Sequence, residues 1–522
     1  MPEVPSSLTP TLTQPRLPSA LRNVLSNWGG FVFSSIIAFF LSPFVVHHLG
    51  NSAYGIWVLV GSLTGYLGLL NLGVRSAVTR YVAQFHAESN DQEASSVASS
   101  ALAIFIAAGT VAVLLSLALA TVSVNLFHIP KNYQFAVRTV VVLAGFNIAV
   151  SLISGVFGGI LTALHRFDLS NLIEAANSLL SAITIVIVLS AGNGLIALSV
   201  VNLSFAVATG LAYATVAFQV YPDLKLRLSG CDAGHLRLIF SFSVYAFLLQ
   251  ISFNLIFYTD SMVIGNLLSV SLITFFAIAG SLINYSRMMI SGISTTMTPR
   301  ASALGVRSGQ EEVRKLLIKA TRLATIIILP VGVTFLLRGS SFIRLWMGQA
   351  YGDVSGHVLW ILTLALLFVA ADQVAISTMM GIGAHRLVVS VVCGEAFCNL
   401  VLSILLARPM GILGVAWGTT LPSLAVSLLF WPWYLQRALK IPVRGYVMST
   451  WVRPAIAVIP FALLTYGTER ILPPSNIFVF LAQTAAILPT AALASWYVCL
   501  DYPDRENYKR RFVQPALKAI LG

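Results

Sequence analysis

The apolar stretch ALAIFIAAGTVAVLLSLALATVSV occupies residues 101–124 and contains no charged side chain. A helix needs about 20 consecutive apolar residues to cross the hydrocarbon core of a bilayer, so this segment is long enough to span a membrane. Segments of similar length and character recur along the chain between residues 22 and 500. Together they predict an all-α integral membrane protein with about fourteen transmembrane helices.

The composition agrees with this fold class. Apolar residues make up 57% of the 522-residue chain and charged residues only 9%, whereas about 25% of a typical soluble domain is charged. The net charge of +13 would suggest nucleic-acid binding in a soluble protein. In a membrane protein it indicates basic cytoplasmic loops that contact anionic lipid headgroups. We therefore expect membrane lipids, and no nucleic acid, among the partners.

Signatures of enzymes and metal sites are missing from the sequence. The four cysteines lack the spacing of a metal site, and there is no phosphate-binding loop, zinc motif or nucleophile elbow. The predicted loops are also too short to hold a catalytic domain. We therefore expect no catalytic residue, no metal, no cofactor and no enzymatic activity.

The distribution of lysine and arginine predicts the orientation. Fourteen spans place both termini on one side of the membrane. With a cytoplasmic N-terminus, 24 of the 31 basic residues lie in cytoplasmic segments and six lie on the outer side. Because basic residues accumulate in cytoplasmic loops, both termini are predicted to be cytoplasmic.

Landmarks of the first half recur in the second half. His165-Arg166 reappears 220 residues later as His385-Arg386, and Arg80 has a counterpart at the same distance in Arg300. Six predicted crossings separate the members of each pair, so both copies face the same way. The sequence therefore predicts two parallel six-helix bundles plus a terminal helix pair, a design that is common among alternating-access transporters.

These features divide the chain into five predicted regions. The regions are a disordered cytoplasmic tail (1–21), an N-terminal six-helix bundle (22–228), a C-terminal six-helix bundle (229–442), helices 13 and 14 (443–500) and a basic cytoplasmic tail (501–522).

One buried cation stands out among the predicted spans. Arg287 lies near the middle of the eighth span, and Asn284 shares its helical face. An arginine at the bilayer centre costs at least about 2.5–3.5 kcal/mol unless it meets water or an opposite charge. Arg287 is therefore either a functional cation in a wet cavity or one partner of a structural ion pair.

Acidic side chains also lie within or beside the spans. Asp260 could pair with Arg287, bind a proton or cation, or reach the outer interface. For Asp372 and Glu395, function and structural pairing are equally compatible with the sequence. Glu174 begins the fifth span and shares one face with Asn177.

Two segments resemble a known family. Residues 48–59 (HLGNSAYGIWVL) with the following 65–83, and residues 164–171 (LHRFDLSN), are similar to bacterial polysaccharide-biosynthesis flippases, including the O-antigen type. These proteins belong to the multidrug/oligosaccharidyl-lipid/polysaccharide exporter superfamily. The number of predicted spans resembles that of the family over the whole chain, whereas the sequence motifs of the family occur mainly in these two regions.

The resemblance implies a multi-pass protein of the bacterial inner membrane. Its cargo would be a polyprenyl-pyrophosphate-linked oligosaccharide for cell-surface polysaccharide such as lipopolysaccharide or exopolysaccharide. On that view Arg287, Asn284 and Arg75 would bind the substrate, since arginine binds pyrophosphate with bidentate hydrogen bonds. Carboxylates would bind a coupling H⁺ or Na⁺: Asp260, Asp372, Glu395 and Glu174. Polysaccharide polymerase or glycosyltransferase machinery would be a partner.

Two other functions compete with this one. An ion-coupled multidrug antiporter of the same superfamily would line its cavity with carboxylates and needs only twelve spans. A membrane-embedded sugar or lipid transferase would need a large outer loop, which the sequence lacks. The buried Arg287 and the additional helix pair favour the flippase.

Overall fold

The computed structural model describes residues 17–71, 73–226, 244–307, 309–501 and 505–506. The predicted tails 1–21 and 501–522 lie mostly outside these residues. Within the described ranges the chain forms helices and turns and no β-strand, as the apolar pattern predicts.

Fifteen α-helices follow one another along the described residues. They are α1 (Leu17–Leu67), α2 (Val74–Ala87), α3 (Asp91–Leu126), α4 (Gln134–Ala163), α5 (Phe167–Ser190), α6 (Leu195–Val220), α7 (Val244–Leu267), α8 (Val270–Arg307), α9 (Gln310–Met347), α10 (Gln349–Gly381), α11 (Arg386–Ala425), α12 (Trp431–Leu439), α13 (Val443–Val447), α14 (Arg453–Ile471) and α15 (Ile477–Val498). Two π-helical turns, Val426–Phe430 and Met448–Val452, join α11 to α12 and α13 to α14.

Twelve helical segments of the described residues are long and apolar enough to cross a membrane. Two of the helices contain a break, at Gly50 in α1 (φ 76°) and at Gly411 in α11 (φ 61°). These positive φ values favour glycine, because a side chain in this conformation would clash with the backbone. Each break divides its helix into two segments. Dividing these two segments at their breaks would turn the twelve segments into fourteen. The number of fourteen spans stays a prediction.

Helix packing repeats between the two halves of the chain. In the first half α3 packs on α4, α1 on α5, and α2 on α4. In the second half α9 packs on α10, α7 on α11, and α8 on α10. The order of partners is the same in both halves, as a duplicated bundle predicts. The boundaries between the predicted regions remain predictions.

The two halves meet mainly where the second segment of α1 packs against α7 and α8. Thr274 donates a hydrogen bond to the backbone carbonyl of Asn51 (2.7 Å), and Tyr351 donates to the Asn51 side chain (2.6 Å). Asn266 similarly donates to the Leu126 carbonyl (2.6 Å). These contacts join the helix ends near residues 50, 126, 270 and 350, which we call the closed end of the molecule.

The helix pair α14–α15 is attached to α9 through a buried ion pair. Arg338, one of the six basic residues on the predicted outer side, has a fully buried side chain. Its Nε donates to Glu469 of α14 (2.6 Å), and its Nη2 donates to Gln483 of α15 (2.6 Å). The guanidinium also lies over the ring of Phe480, 4.4 Å from its centroid. One side chain therefore connects three helices.

We expect Arg338→Ala to lower the thermal stability of the purified protein strongly. It removes the charged partner of the Glu469 carboxylate, which keeps only its hydrogen bond from Ser341, and breaking a buried ion pair costs up to about 3–5 kcal/mol. Arg344→Ala is the matched control, because Arg344 also lies on α9 but forms an exposed ion pair with Asp353 (3.2 Å). Thermal unfolding in detergent measures both variants. Equal unfolding temperatures for the two variants would contradict this role of Arg338.

Candidate functional site

Each half of the chain contains a polar cavity. The second-half cavity has a volume of about 70 Å³ and brings together three of the predicted residues, Arg287 from α8, Asp372 from α10 and Glu395 from α11. The first-half cavity is much larger, about 550 Å³, and contains Arg75 and Glu174. The predicted residues are therefore divided between two places.

Arg287 lies in an apolar and acidic environment. Its guanidinium stacks over the ring of Phe257, 4.6 Å from the centroid. Glu395 and, more weakly, Asp372 act electrostatically on it, but among the described residues no carboxylate lies within ion-pair distance of it. Its Nε is buried and has no hydrogen-bond partner. A buried donor without a partner is costly, so water or a polar ligand would stabilise this site.

Other polar atoms of the second-half cavity are also unpaired. The Gln373 Oε1 and both amide atoms of Asn399 are buried without hydrogen-bond partners. Asp372 is better satisfied, because Ser427 donates a hydrogen bond to it from the π-helical turn after α11. A volume of about 70 Å³ can hold a few waters or one partly hydrated cation. It is far below the roughly 300–1,000 Å³ of pockets for larger ligands.

Asp260 of α7 forms a separate hydrogen-bonded site beside this cavity. It is 4% exposed, and its two carboxylate oxygens accept hydrogen bonds from Ser403 (3.2 Å) and Thr419 (2.7 Å). Both hydroxyls also lie within 3.4 Å of the Val415 carbonyl. Asp260 is therefore buried among hydroxyl groups and does not pair with Arg287; the binding of a proton or cation by Asp260 stays a prediction.

The break at Gly411 builds the Asp260 site. It folds α11 back on itself, so that Ser403 before the break faces Val415 and Thr419 after it. The two segments approach so closely that a Cβ on Gly418 would lie 2.5 Å from the Ser403 nitrogen. Small residues allow such close approach of membrane helices. The sequence could show Asn399 and Ser403 on one helical face, but not that the following span folds back against this face, so it missed Thr419.

The first-half cavity has a charged end formed by Arg75 and Glu174. Tyr213 of α6 donates a hydrogen bond to Glu174 (2.7 Å). The Arg75 guanidinium lies against α4, where a Cβ on Gly158 would be 3.2 Å from Nη2. Both charged side chains are exposed rather than buried. They are therefore accessible to a ligand that enters the cavity.

The rest of the first-half cavity is polar but uncharged. Thr209 donates to Asn177 (2.9 Å), which links α6 to α5. The uncharged polar lining comprises Thr64, Asn147, Ser151, Ser154, Asn177, Ser181, Ser199, Asn202, Thr209 and Tyr213. The sequence shows the polar face of α5 through Glu174 and Asn177, whereas the polar faces of α4 and α6 consist only of uncharged residues. The helical spacing of Asn202, Thr209 and Tyr213 was the available signal.

Asn284 lies elsewhere. It is exposed on α8 and lines neither of the two cavities. It is thus not brought together with Arg287, Asp372 and Glu395. Each cavity contains one arginine, Arg75 in the first half and Arg287 in the second. The two do not occupy equivalent positions of the repeat, because the counterpart of Arg287 is Leu67, which is buried and apolar.

Known structures share this fold. The chain resembles the lipid II flippase MurJ in an inward closed conformation (TM-score 0.69, 14% identity, 91% of this chain and 98% of that chain). It also resembles a multidrug resistance MATE family transporter in an inward-facing conformation (TM-score 0.69, 14% identity, 81% of this chain and 96% of that chain). At such low identity these likenesses show the fold alone. Both structures belong to transporters, one of them explicitly of the MOP superfamily.

Sequence comparison gives the family. A Shigella flexneri protein named "Putative O-antigen transporter" is 23% identical over 406 residues, which cover 76% of this chain and 93% of that protein. Residues 45–356 match the sequence model of the family described as polysaccharide biosynthesis protein. That match covers more than half of the chain and includes the predicted motif at 164–171. The chain belongs to the polysaccharide biosynthesis protein family.

Proposed function

We propose that the protein is a flippase that moves a polyprenyl-pyrophosphate-linked oligosaccharide across the bacterial inner membrane during cell-surface polysaccharide synthesis. The observation that carries the proposal is the pair of similarly packed halves, each with a polar cavity, joined at one closed end. Transport needs no covalent chemistry, so the protein is not an enzyme. The Shigella flexneri relative is named for O-antigen transport, which supports this choice of cargo.

The closed end faces the periplasm in this proposal. Among the described residues, the helix ends and turns opposite the closed end contain more lysine and arginine than the closed end does, and such basic segments are cytoplasmic in membrane proteins. Both termini are then cytoplasmic, and the charged end of the first-half cavity faces the side on which lipid-linked precursors are made. Glycosyltransferases and a polymerase would act on the cargo before and after its transfer.

Arg75 is the residue best placed to bind the pyrophosphate. It is exposed at the cytoplasmic end of the 550 Å³ cavity, and a guanidinium can donate two parallel hydrogen bonds to a phosphate group. Arg287 lies in the 70 Å³ cavity under the influence of two carboxylates. We therefore assign Arg287 to charge balance in the second half. Asn284, exposed on α8, would contact cargo in the cleft between the halves.

The second half couples transport to an ion. Asp372 and Glu395 line the small cavity beside the unpaired amide groups of Gln373 and Asn399. Asp260 lies next to it and accepts hydrogen bonds from two hydroxyls. This arrangement suits H⁺ or Na⁺. Glu174, the fourth predicted carboxylate, lies in the cargo cavity and is hydrogen-bonded to Tyr213. It would respond to cargo rather than bind the coupling ion directly.

A multidrug antiporter is the alternative function. Two carboxylates face one arginine in the second-half cavity, which would also suit an organic cation. The volume of about 70 Å³ argues against a drug-sized ligand at this point. Export of a cationic dye by proteoliposomes, without any effect of the protein on surface polysaccharide, would favour the antiporter.

Substitution of the two arginines separates their roles. We expect both Arg75→Ala and Arg287→Ala to abolish surface polysaccharide at unchanged protein level. Only Arg75→Ala should reduce, by roughly tenfold or more, the polyprenyl-pyrophosphate lipid that is extracted with the protein, because it removes a charge-assisted bond. The control is Arg80→Ala on the same helix, which leaves the cavity intact. Normal polysaccharide in Arg75→Ala cells would contradict the assignment.

Asp260→Asn tests the coupling site. The amide keeps the size of the side chain and both hydroxyl neighbours but cannot carry the charge that H⁺ or Na⁺ neutralises. We expect lipid-linked oligosaccharide transfer in proteoliposomes to lose its dependence on an imposed H⁺ or Na⁺ gradient. Asp353→Asn is the control, because Asp353 is an exposed partner of Arg344. An unchanged gradient dependence in Asp260→Asn would exclude Asp260 from coupling.

A further inference from the structure

The first-half cavity extends well beyond Arg75, the residue that would bind the pyrophosphate. Beyond its charged end, an uncharged polar lining continues toward the closed end of the molecule. On α6, Asn202 lies eleven residues before Tyr213, a separation of about 16 Å along a helix. On α5, Ser181 lies seven residues beyond Glu174, about 10 Å deeper. The cavity is therefore elongated, with charge at its mouth and amide and hydroxyl groups inside.

The three asparagines of this lining retain free hydrogen-bonding groups. Asn177 and Asn147 accept bonds from Thr209 and Ser151, but their amide nitrogens donate to no other group within the described part of the chain. Asn202 has no side-chain hydrogen bond to any described residue. Each amide offers two donors and an acceptor. Such groups are expensive inside a membrane protein unless water or a polar ligand satisfies them.

The chemistry of this lining selects among ligand classes. An inorganic cation would need carboxylates, and an organic cation or acyl chain would need a more apolar or acidic wall. A sugar presents hydroxyl groups that both donate and accept, which matches amides and hydroxyls. It also has apolar ring faces that pack on aromatic side chains, and Trp57 forms part of the wall. The volume of about 550 Å³ lies in the range of pockets that enclose larger ligands.

We propose that the uncharged part of the first-half cavity, lined by Asn147, Asn177, Asn202 and Thr209, binds the lipid-proximal sugars of the cargo. This inference rests on the proposed function and makes it more specific. Arg75 holds the pyrophosphate at the mouth, and the sugars attached to it extend toward Trp57. The second-half cavity is too small for a sugar ring and serves the coupling ion. The first half thus binds the glycan, and the second half binds the ion.

The test is a comparison of the lipids that accompany the protein when it is extracted in polymer nanodiscs from polysaccharide-producing cells. The Asn177→Leu/Asn202→Leu double variant removes two amides at similar side-chain volume. We expect mass spectrometry to show roughly a tenfold loss of glycosylated polyprenyl-pyrophosphate lipid, as two lost hydrogen bonds predict. Bare polyprenyl-pyrophosphate should remain within twofold of the wild-type amount. Arg75→Ala should lose both lipids.

The control is Ser204→Leu, an exposed position on α6 that does not line the cavity. It should carry both lipids at wild-type levels, and equal thermal unfolding of the variants verifies their fold. An unchanged amount of glycosylated lipid in the double variant would overturn the sugar site. A parallel loss of both lipids would also overturn it, since the asparagines would then act on the pyrophosphate or on the fold. Absence of polyprenyl lipid from the wild-type protein would instead overturn the proposed function.

Discussion

The hydrocarbon core of a bilayer offers no hydrogen bonds, so every polar group at membrane depth must find its partner inside the protein or in a wet cavity. This constraint explains where the polar side chains of the chain lie. Two of the three guanidinium nitrogens of Arg338 donate to Glu469 and Gln483, and this side chain connects helices. Asp260 is satisfied by two hydroxyls. Among the buried polar atoms without partners, Arg287 Nε, Gln373 Oε1 and both amide atoms of Asn399 belong to residues that line one cavity, where water or a polar ligand would stabilise them.

The same constraint sets how much the sequence could predict. Apolar length is enough to predict a membrane-spanning all-α fold, and the recurring His-Arg pairs predict the repeated packing. Charged residues within spans identified Arg287, Asp372 and Glu395, which the structure does bring into one cavity. Their common location follows from helix contacts between α8, α10 and α11, which no single helical face reveals.

Other features depend on contacts between residues that are far apart in the sequence, which the spacing of residues along one helix does not reveal. The break at Gly411 places Thr419 on Asp260, because it folds one apolar segment back against the previous one. Arg338 looked like an outer basic residue, yet it is buried by helices that begin more than a hundred residues later. The polar face of α6 consists of uncharged residues, and such faces usually indicate helix packing. Only the cavity shows that Asn202 faces the polar stripes of α4 and α5.

The two halves repeat one packing pattern but have diverged in their cavities. The first half encloses about 550 Å³ with charge at its mouth, and the second encloses about 70 Å³ with charge in its interior. A duplicated transporter can use this difference to bind a large cargo in one half and a small ion in the other. In the proposed transport cycle, binding in either cavity would change how the halves pack at the closed end, to which both contribute contacts.

The most direct test of the flippase function is the leaflet in which lipid-linked oligosaccharide accumulates when the protein is absent. Cells that lack the protein but retain the glycosyltransferases can be converted to spheroplasts and probed with a membrane-impermeant glycan-modifying reagent. The account predicts accumulation in the cytoplasmic leaflet, where the reagent cannot reach the glycan until the membrane is permeabilised. Accumulation in the periplasmic leaflet would show that transfer proceeds without the protein and would contradict the account.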